Sequence, residues 1–183
     1  MIITVTGKPC SGKGSVSKHF CAEYGFKYMS TGNMFRELAK QNGYDDILEF
    51  QMNESITKID NQVDSLIENL GKEKLHEDIV IDSRLAWHFI PKSFKVFIDV
   101  DWQTAGERLL RAERETEKAE NLEHAIKILK KRWKTENDRY FSLYKINNLD
   151  ISQYDLVIKS DNKTIEEISQ EIYSSYKKFM QKA

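Results

Sequence analysis

Gly7-Lys8-Pro9-Cys10-Ser11-Gly12-Lys13 satisfies the pattern G-x-x-x-x-G-K. Glycines at this spacing let a loop turn its backbone N–H groups inward around phosphate oxygens. A helix starting at the loop's end adds the positive end of its dipole, and the lysine supplies a charge for the outermost phosphates. The pattern carries that meaning only between a strand and a helix. Ile2 to Thr6 is a short apolar, β-rich run ending at Gly7, and Lys13 to Glu23 shows helical spacing through Val16, Phe20 and Cys21. The context is therefore the required one. The loop is expected to span Gly7, Lys8, Pro9, Cys10, Ser11, Gly12, Lys13, Gly14 and Ser15. Gly14, not a hydroxyl residue, follows the lysine, which separates this loop from those of GTPases and motor ATPases.

The arginines carry a second signal. Of 28 basic side chains only seven are arginine: Arg36, Arg84, Arg108, Arg111, Arg114, Arg132 and Arg139. Each follows an expected strand or lies in the helices on either side of residues 115–121. Arginine is preferred over lysine where a phosphate is held by two parallel hydrogen bonds. Surface pairing along a helix, as between Glu107 and Arg111, is the competing reading for Arg108, Arg111 and Arg114. Arg132, Glu136 and Arg139 are spaced to share one helix face. Asp60 and Asp64 share another, facing either ligand or solvent. Asp82 ends the apolar run Ile79-Val80-Ile81, and the carboxyl ends of strands are where open α/β sheets bind ligands.

Five short apolar runs alternate with helical patterns: Ile2–Thr6, Lys27–Ser30, Ile79–Ile81, Val96–Ile98 and Leu156–Ile158. That alternation predicts an α/β fold with a parallel sheet. Met34, Phe35, Leu38 and Ala39 form a helical stripe that Gly43 interrupts. Ile47, Leu48, Phe50 and Met52 read as a short helix. Ile56 to Leu70 repeats at helical spacing up to Gly71, a candidate C-cap. Helices are also expected from Trp102 to Leu110 and from Leu122 to Tyr144. Residues 115–121 are charged, lack an apolar stripe and are expected to be exposed and mobile. Thr164-x-x-Glu167 is a capping box ahead of Ile165, Ile168 and Ile172.

With 183 residues the chain is expected to be one domain, long enough to bury a core without disulfides. A net charge of −1 argues against an electrostatically driven nucleic-acid or membrane binder. No apolar run approaches the length of a membrane span. The first residues show no secretory pattern, and Cys10 and Cys21 suit a reducing, cytoplasmic setting. The four histidines show no metal-ligand spacing.

The loop with Gly after its lysine resembles that of nucleoside monophosphate kinases. Ser30-Thr31-Gly32-Asn33-Met34-Phe35-Arg36 is similar to the S-[TA]-G-[DN]-x-[FL]-R element of adenylate and cytidylate kinases, with Asn33 where Asp is more usual. Asp82-Ser83-Arg84-Leu85-Ala86-Trp87 resembles the E-G-R-L-A-x-W segment of archaeal-type cytidylate kinases, with Asp82 for Glu and Ser83 for Gly. Arg132-x-x-x-Glu136-x-x-Arg139-Tyr140 resembles the pattern that follows their lid. The resemblance implies a P-loop kinase fold with sheet order 2-3-1-4-5, a helical acceptor lobe over residues 31–71 and a lid over 115–138. It implies phosphoryl transfer from ATP, with Mg2+, to CMP or dCMP, by a monomer acting on small-molecule nucleotides. Lys13, Arg84, Arg132 and Arg139 would be catalytic. Arg111 would join the loop in binding ATP. Ser30, Gly32, Asn33, Arg36, Asp64, Arg84, Glu136 and Arg139 would bind the acceptor. Asp82 would hold the metal through water. The alternatives are a kinase of the same fold for AMP or UMP, and a nucleotide-binding regulator with degenerate catalysis.

Overall fold

A computed structural model of the chain describes residues 1–41, 43, 56–74, 77–112 and 119–181, with side chains at all of these except 35, 36, 38, 39 and 56–61. The expected helix at Ile47–Met52, together with Arg114 and most of the segment 115–121, lies outside the described residues.

The elements run β1 (Ile2–Gly7), α1 (Lys13–Tyr24), β2 (Lys27–Ser30), α2 (Thr31–Gln41), α3 (Ile56–Glu73), β3 (Ile79–Asp82), α4 (Ala86–Phe89), β4 (Phe94–Asp99), α5 (Trp102–Arg111), α6 (Leu122–Tyr144), a 3-10 turn (Ile151–Gln153), β5 (Leu156–Lys159) and α7 (Ile165–Met180). The five strands form one parallel sheet in the order β2-β3-β1-β4-β5. β1 lies at its centre and is buried at every residue. That suits a strand with neighbours on both edges and helices on both faces.

Side chains alternate across the sheet. On one face Ile3, Val5, Val80, Val96 and Ile98 pack with Val16 and Phe20 of α1 and Ile168 and Ile172 of α7. On the other, Ile2, Ile79 and Ile81 pack with Val63 and Ile67 of α3, while Phe97 packs with Leu85, Trp133 and Tyr154. β1 lies between β3 and β4, so the chain reverses its direction of winding there. The crevice at the carboxyl ends of these strands is the place such sheets offer a ligand. No helix among the described residues is long and apolar enough to cross a membrane.

Two local expectations change, at Gly71 and at Ala119. Gly71 does not cap α3, which continues to Glu73. A Cβ at Gly71 would lie 2.9 Å from Ile90 Cγ1, so the glycine permits close packing of α3 on the chain after α4. Asn121, exposed as expected, caps α6, its side chain accepting from the His124 N–H at 2.9 Å. Ala119 packs against the cluster built on Leu109 and Leu129.

The capping box at α7 is complete. Thr164 Oγ1 accepts from the Glu167 N–H at 3.2 Å, and Glu167 Oε2 accepts from the Thr164 N–H at 2.8 Å. Thr164→Ala should therefore cost about 1 kcal/mol and lower the melting temperature by about 2–4 °C, with turnover unchanged. Thermal denaturation of both proteins checks this.

Candidate active site

The loop's path follows from its glycines. Gly7 has φ 155°, and a Cβ there would fall on the Ile98 carbonyl, so β1 and β4 leave space only for hydrogen. Gly12 stands in the left-handed region at φ 83° at the N-cap of α1 and makes no side-chain cap. The N–H groups of Lys13, Gly14 and Ser15, which have no partner within the helix, thus meet the cavity these residues line.

That cavity has a volume of about 500 Å³. The loop lines it together with Ser30 at the end of β2, Gly32 and Asn33 at the start of α2, Asp64 of α3, Asp82 and Arg84 at and just after the end of β3, and Arg132, Glu136 and Arg139 of α6. Sixteen of the site residues expected from sequence thus converge: Pro9 to Ser15, Ser30, Gly32, Asn33, Asp64, Asp82, Arg84, Arg132, Glu136 and Arg139.

Arg84 is the hub. Its Nη1 donates to the Gly7 carbonyl oxygen, its Nε lies 3.0 Å from Glu136 Oε2, and its guanidinium lies 5.6 Å from the centre of the Trp133 ring. Arg132 Nε donates to the other carboxylate oxygen, Glu136 Oε1, at 3.0 Å. One carboxylate from α6 therefore ties together two arginines from different elements. Burial alone would push the Glu136 carboxyl up, but Arg84, Arg132 and Lys13 outweigh it and hold it below the usual range. Lys13 shows the complementary effect. Burial first, then Arg84, lowers its ammonium to about 8, against the opposing pull of Asp82 and Glu136.

Other expected residues stand elsewhere. Lys8 lies outside the cavity lining. Its Nζ sits 2.7 Å from Asp99 Oδ1 and donates to the Val100 carbonyl at 3.1 Å, so it fastens the loop's base to the end of β4. Gly7 acts through its carbonyl, which Arg84 engages. Arg111 is also outside the lining. It is exposed, 3.7 Å from Glu107, as in the surface-pair reading. Arg36 lies on α2, its side chain outside those described.

Three residues named in the sequence reading make contacts it did not anticipate. Arg108 donates to the Cys10 carbonyl at 3.2 Å and to Ser160 Oγ and O at 3.0 and 2.6 Å, bracing the loop from α5. Its unusual choice of arginine over lysine was the available signal. Ser83 fills the place of a glycine because its Oγ accepts from the N–H groups of Leu85 and Ala86 at 3.3 and 3.2 Å, starting α4. Tyr144 donates to Asp64 Oδ2, linking α6 to α3.

Among the described residues no group of three or more His, Cys, Asp or Glu could encircle a metal. The oxygen donors present, the Asp82 carboxylate and the Ser15 hydroxyl, fit a hydrated magnesium that takes its remaining ligands from substrate phosphates and water.

Residues 6–127 match the family described as AAA domain. The chain is 32% identical over 166 residues to the cytidylate kinase of Methanosarcina barkeri, covering 88% of each chain. It is 30% identical over 177 residues to the S-adenosylmethionine-dependent nucleotide dehydratase of Lacinutrix mariniflava; the match takes in 96% of this chain but only 36% of that protein. The shikimate kinase of Aquifex aeolicus has the same fold, with a TM-score of 0.60 at 19% identity and full coverage of both chains.

A lysine titrating near pH 8 in the free protein gains a proton when polyphosphate arrives, because the anion favours the charged form. MgATP, whose phosphates are ionised at both pH values, should bind with uptake of about half a proton at pH 8 and almost none at pH 6.5. Calorimetry in buffers of different ionisation enthalpy measures this. Equal uptake at both pH values would remove Lys13 from the donor site.

Proposed function

The chain belongs to the AAA domain family and to the cytidylate kinases, and from that premise we propose that it transfers the γ-phosphoryl group of ATP to CMP or dCMP, giving ADP and the nucleoside diphosphate. The feature that supports this reading best is one cavity lined both by the loop with Lys13 and by the cluster of Arg84, Arg132 and Arg139.

Phosphoryl transfer needs no protein nucleophile. It needs the acceptor oxygen in line with the donor phosphate, negative charge neutralised and water kept out. In this reading the α1 amides and Lys13 hold the β- and γ-phosphates of ATP. Arg84, with Arg36, holds the acceptor phosphate, and Glu136 fixes the guanidinium's plane before the acceptor arrives. Arg132 and Arg139 flank the transferring group from α6. Ser30, Gly32, Asn33 and Asp64 border the rest of the acceptor. Magnesium, when bound, adds charge neutralisation to the donor phosphates, with Asp82 and Ser15 as its protein-side oxygen groups.

The reading is tested by ADP release with CMP, dCMP, UMP, AMP and shikimate as acceptors. CMP or dCMP should give the highest kcat/KM; ATP binding without turnover on any acceptor would overturn it. Lys13→Met should lower turnover by more than ~100-fold. The folded protein should be no less stable at pH 7, because burial and Arg84 both oppose the lysine's charge. Arg84→Ala should raise the KM for the monophosphate at least ~10-fold, well beyond any loss of ATP affinity measured alone. An equal loss of ATP affinity would put Arg84 on the donor instead.

A further inference from the structure

Asp82 ends β3 with only 8% of its surface exposed, yet it lines the cavity. A carboxylate so far out of water ordinarily has a cation or several donors. Among the described residues it has no ion pair, and a single side chain donates to it: Tyr28, whose hydroxyl lies 3.3 Å from Asp82 Oδ2. Tyr28 is half-buried on β2, which runs parallel to β3 with Ser30 opposite Asp82. Tyr28 and Asp82 thus lie on the same face of adjacent strands, the face covered by α1. The third member is Gly14. A Cβ there would come 3.3 Å from Asp82 Oδ2 and 4.0 Å from the Tyr28 hydroxyl. A side chain after Lys13 would crowd the pair, so a glycine at this position leaves room for it.

We propose that Tyr28 is a positioning residue for metal-dependent ATP binding: its hydroxyl holds one oxygen of Asp82 so that the carboxylate's remaining lone pairs accept from the water shell of the magnesium on the donor phosphates. This rests on the donor half of the proposed function and is independent of which monophosphate is the acceptor. Partners of this kind fix the orientation of groups around a metal, and their loss weakens metal binding without removing a ligand. Lys18, whose ammonium lies 5.9 Å from the centre of the Tyr28 ring, borders the same side of the cavity.

The test is Tyr28→Phe, which keeps the ring and its packing and removes only the hydroxyl. Binding of a non-hydrolysable ATP analogue is measured by calorimetry with and without Mg2+, alongside Mg2+ titrations of turnover. Metal-free affinity should stay within about twofold of the parent. The gain in affinity on adding Mg2+ should shrink, and the Mg2+ midpoint should rise, each by about tenfold. Asp82→Asn should show at least the same loss, and the double variant no more than Asp82→Asn alone. The KM for the monophosphate should not change. An unchanged Mg2+ midpoint in Tyr28→Phe, an additive double variant, or a rise confined to the monophosphate KM would each overturn the proposal. Should no monophosphate be turned over at all, the calorimetric arm still decides it, because analogue and metal suffice.

Discussion

The Arg84 guanidinium joins three parts of the chain that are far apart in sequence. It donates to the carbonyl where β1 becomes the phosphate loop, pairs with Glu136 on α6 and lies against the Trp133 ring one turn earlier on that helix. Its own backbone follows β3, whose register with β1 places Asp82 beside Val5. The strand pairing therefore brings the arginine to the loop, and the arginine brings α6 over the cavity. The pair is only 15% and 23% exposed, so losing Glu136 leaves the Arg84 charge poorly solvated, whereas losing Arg84 leaves Glu136 still paired with Arg132. Trp133 adds an apolar anchor: it is buried with Leu85, Phe97 and Tyr154, and so fixes the position of α6 from beneath.

The same interaction creates an electrostatic imbalance. Lys13, Arg84 and Arg132 act on one another through a partly buried region where Asp82 and Glu136 are the opposing charges. The fold tolerates this because Glu136 serves two arginines at once. In the proposed reading a phosphate group relieves the remainder, so attraction for polyanions is built into the site before they arrive. Lowering of the Lys13 ammonium to about 8 is the local expression of that imbalance. Around it the loop is braced from several directions: Lys8 on Asp99, and Arg108 on both Cys10 and Ser160. Neither brace touches the cavity's phosphate-facing surface directly through its ammonium or guanidinium in the manner of Lys13; each bonds a main-chain oxygen near the loop instead.

Much of this was legible in the chain itself because short apolar runs mark buried parallel strands, and the phosphate loop is contiguous. The face shared by Arg132, Glu136 and Arg139 was readable from helical spacing alone. What could not be read depends on contacts across the sheet. Tyr28 and Asp82 are 54 positions apart and meet only through the β2–β3 register. Arg108 and Ser160 meet because β4 and β5 are neighbours. Gly71 looked like a helix end, since a glycine needed for close packing on Ile90 leaves the same mark in sequence as one that caps. Arg111 and Arg108 lie three residues apart on α5, yet one pairs with Glu107 at the surface and the other braces the loop. Only the packing of α5 separates them.

The central claim is that Arg84 and Lys13 hold opposite ends of one phosphate chain. A crystal structure with a bisubstrate analogue, cytidine and adenosine joined through five phosphates, tests it most directly. Lys13 and the α1 amides should contact the phosphates nearest adenosine, and Arg84 the phosphate nearest cytidine, with Arg132 and Arg139 between them. A phosphate chain that bypasses Arg84, leaving its guanidinium on Glu136 and Gly7 alone, would contradict the claim and reduce Arg84 to a structural tie between the loop and α6.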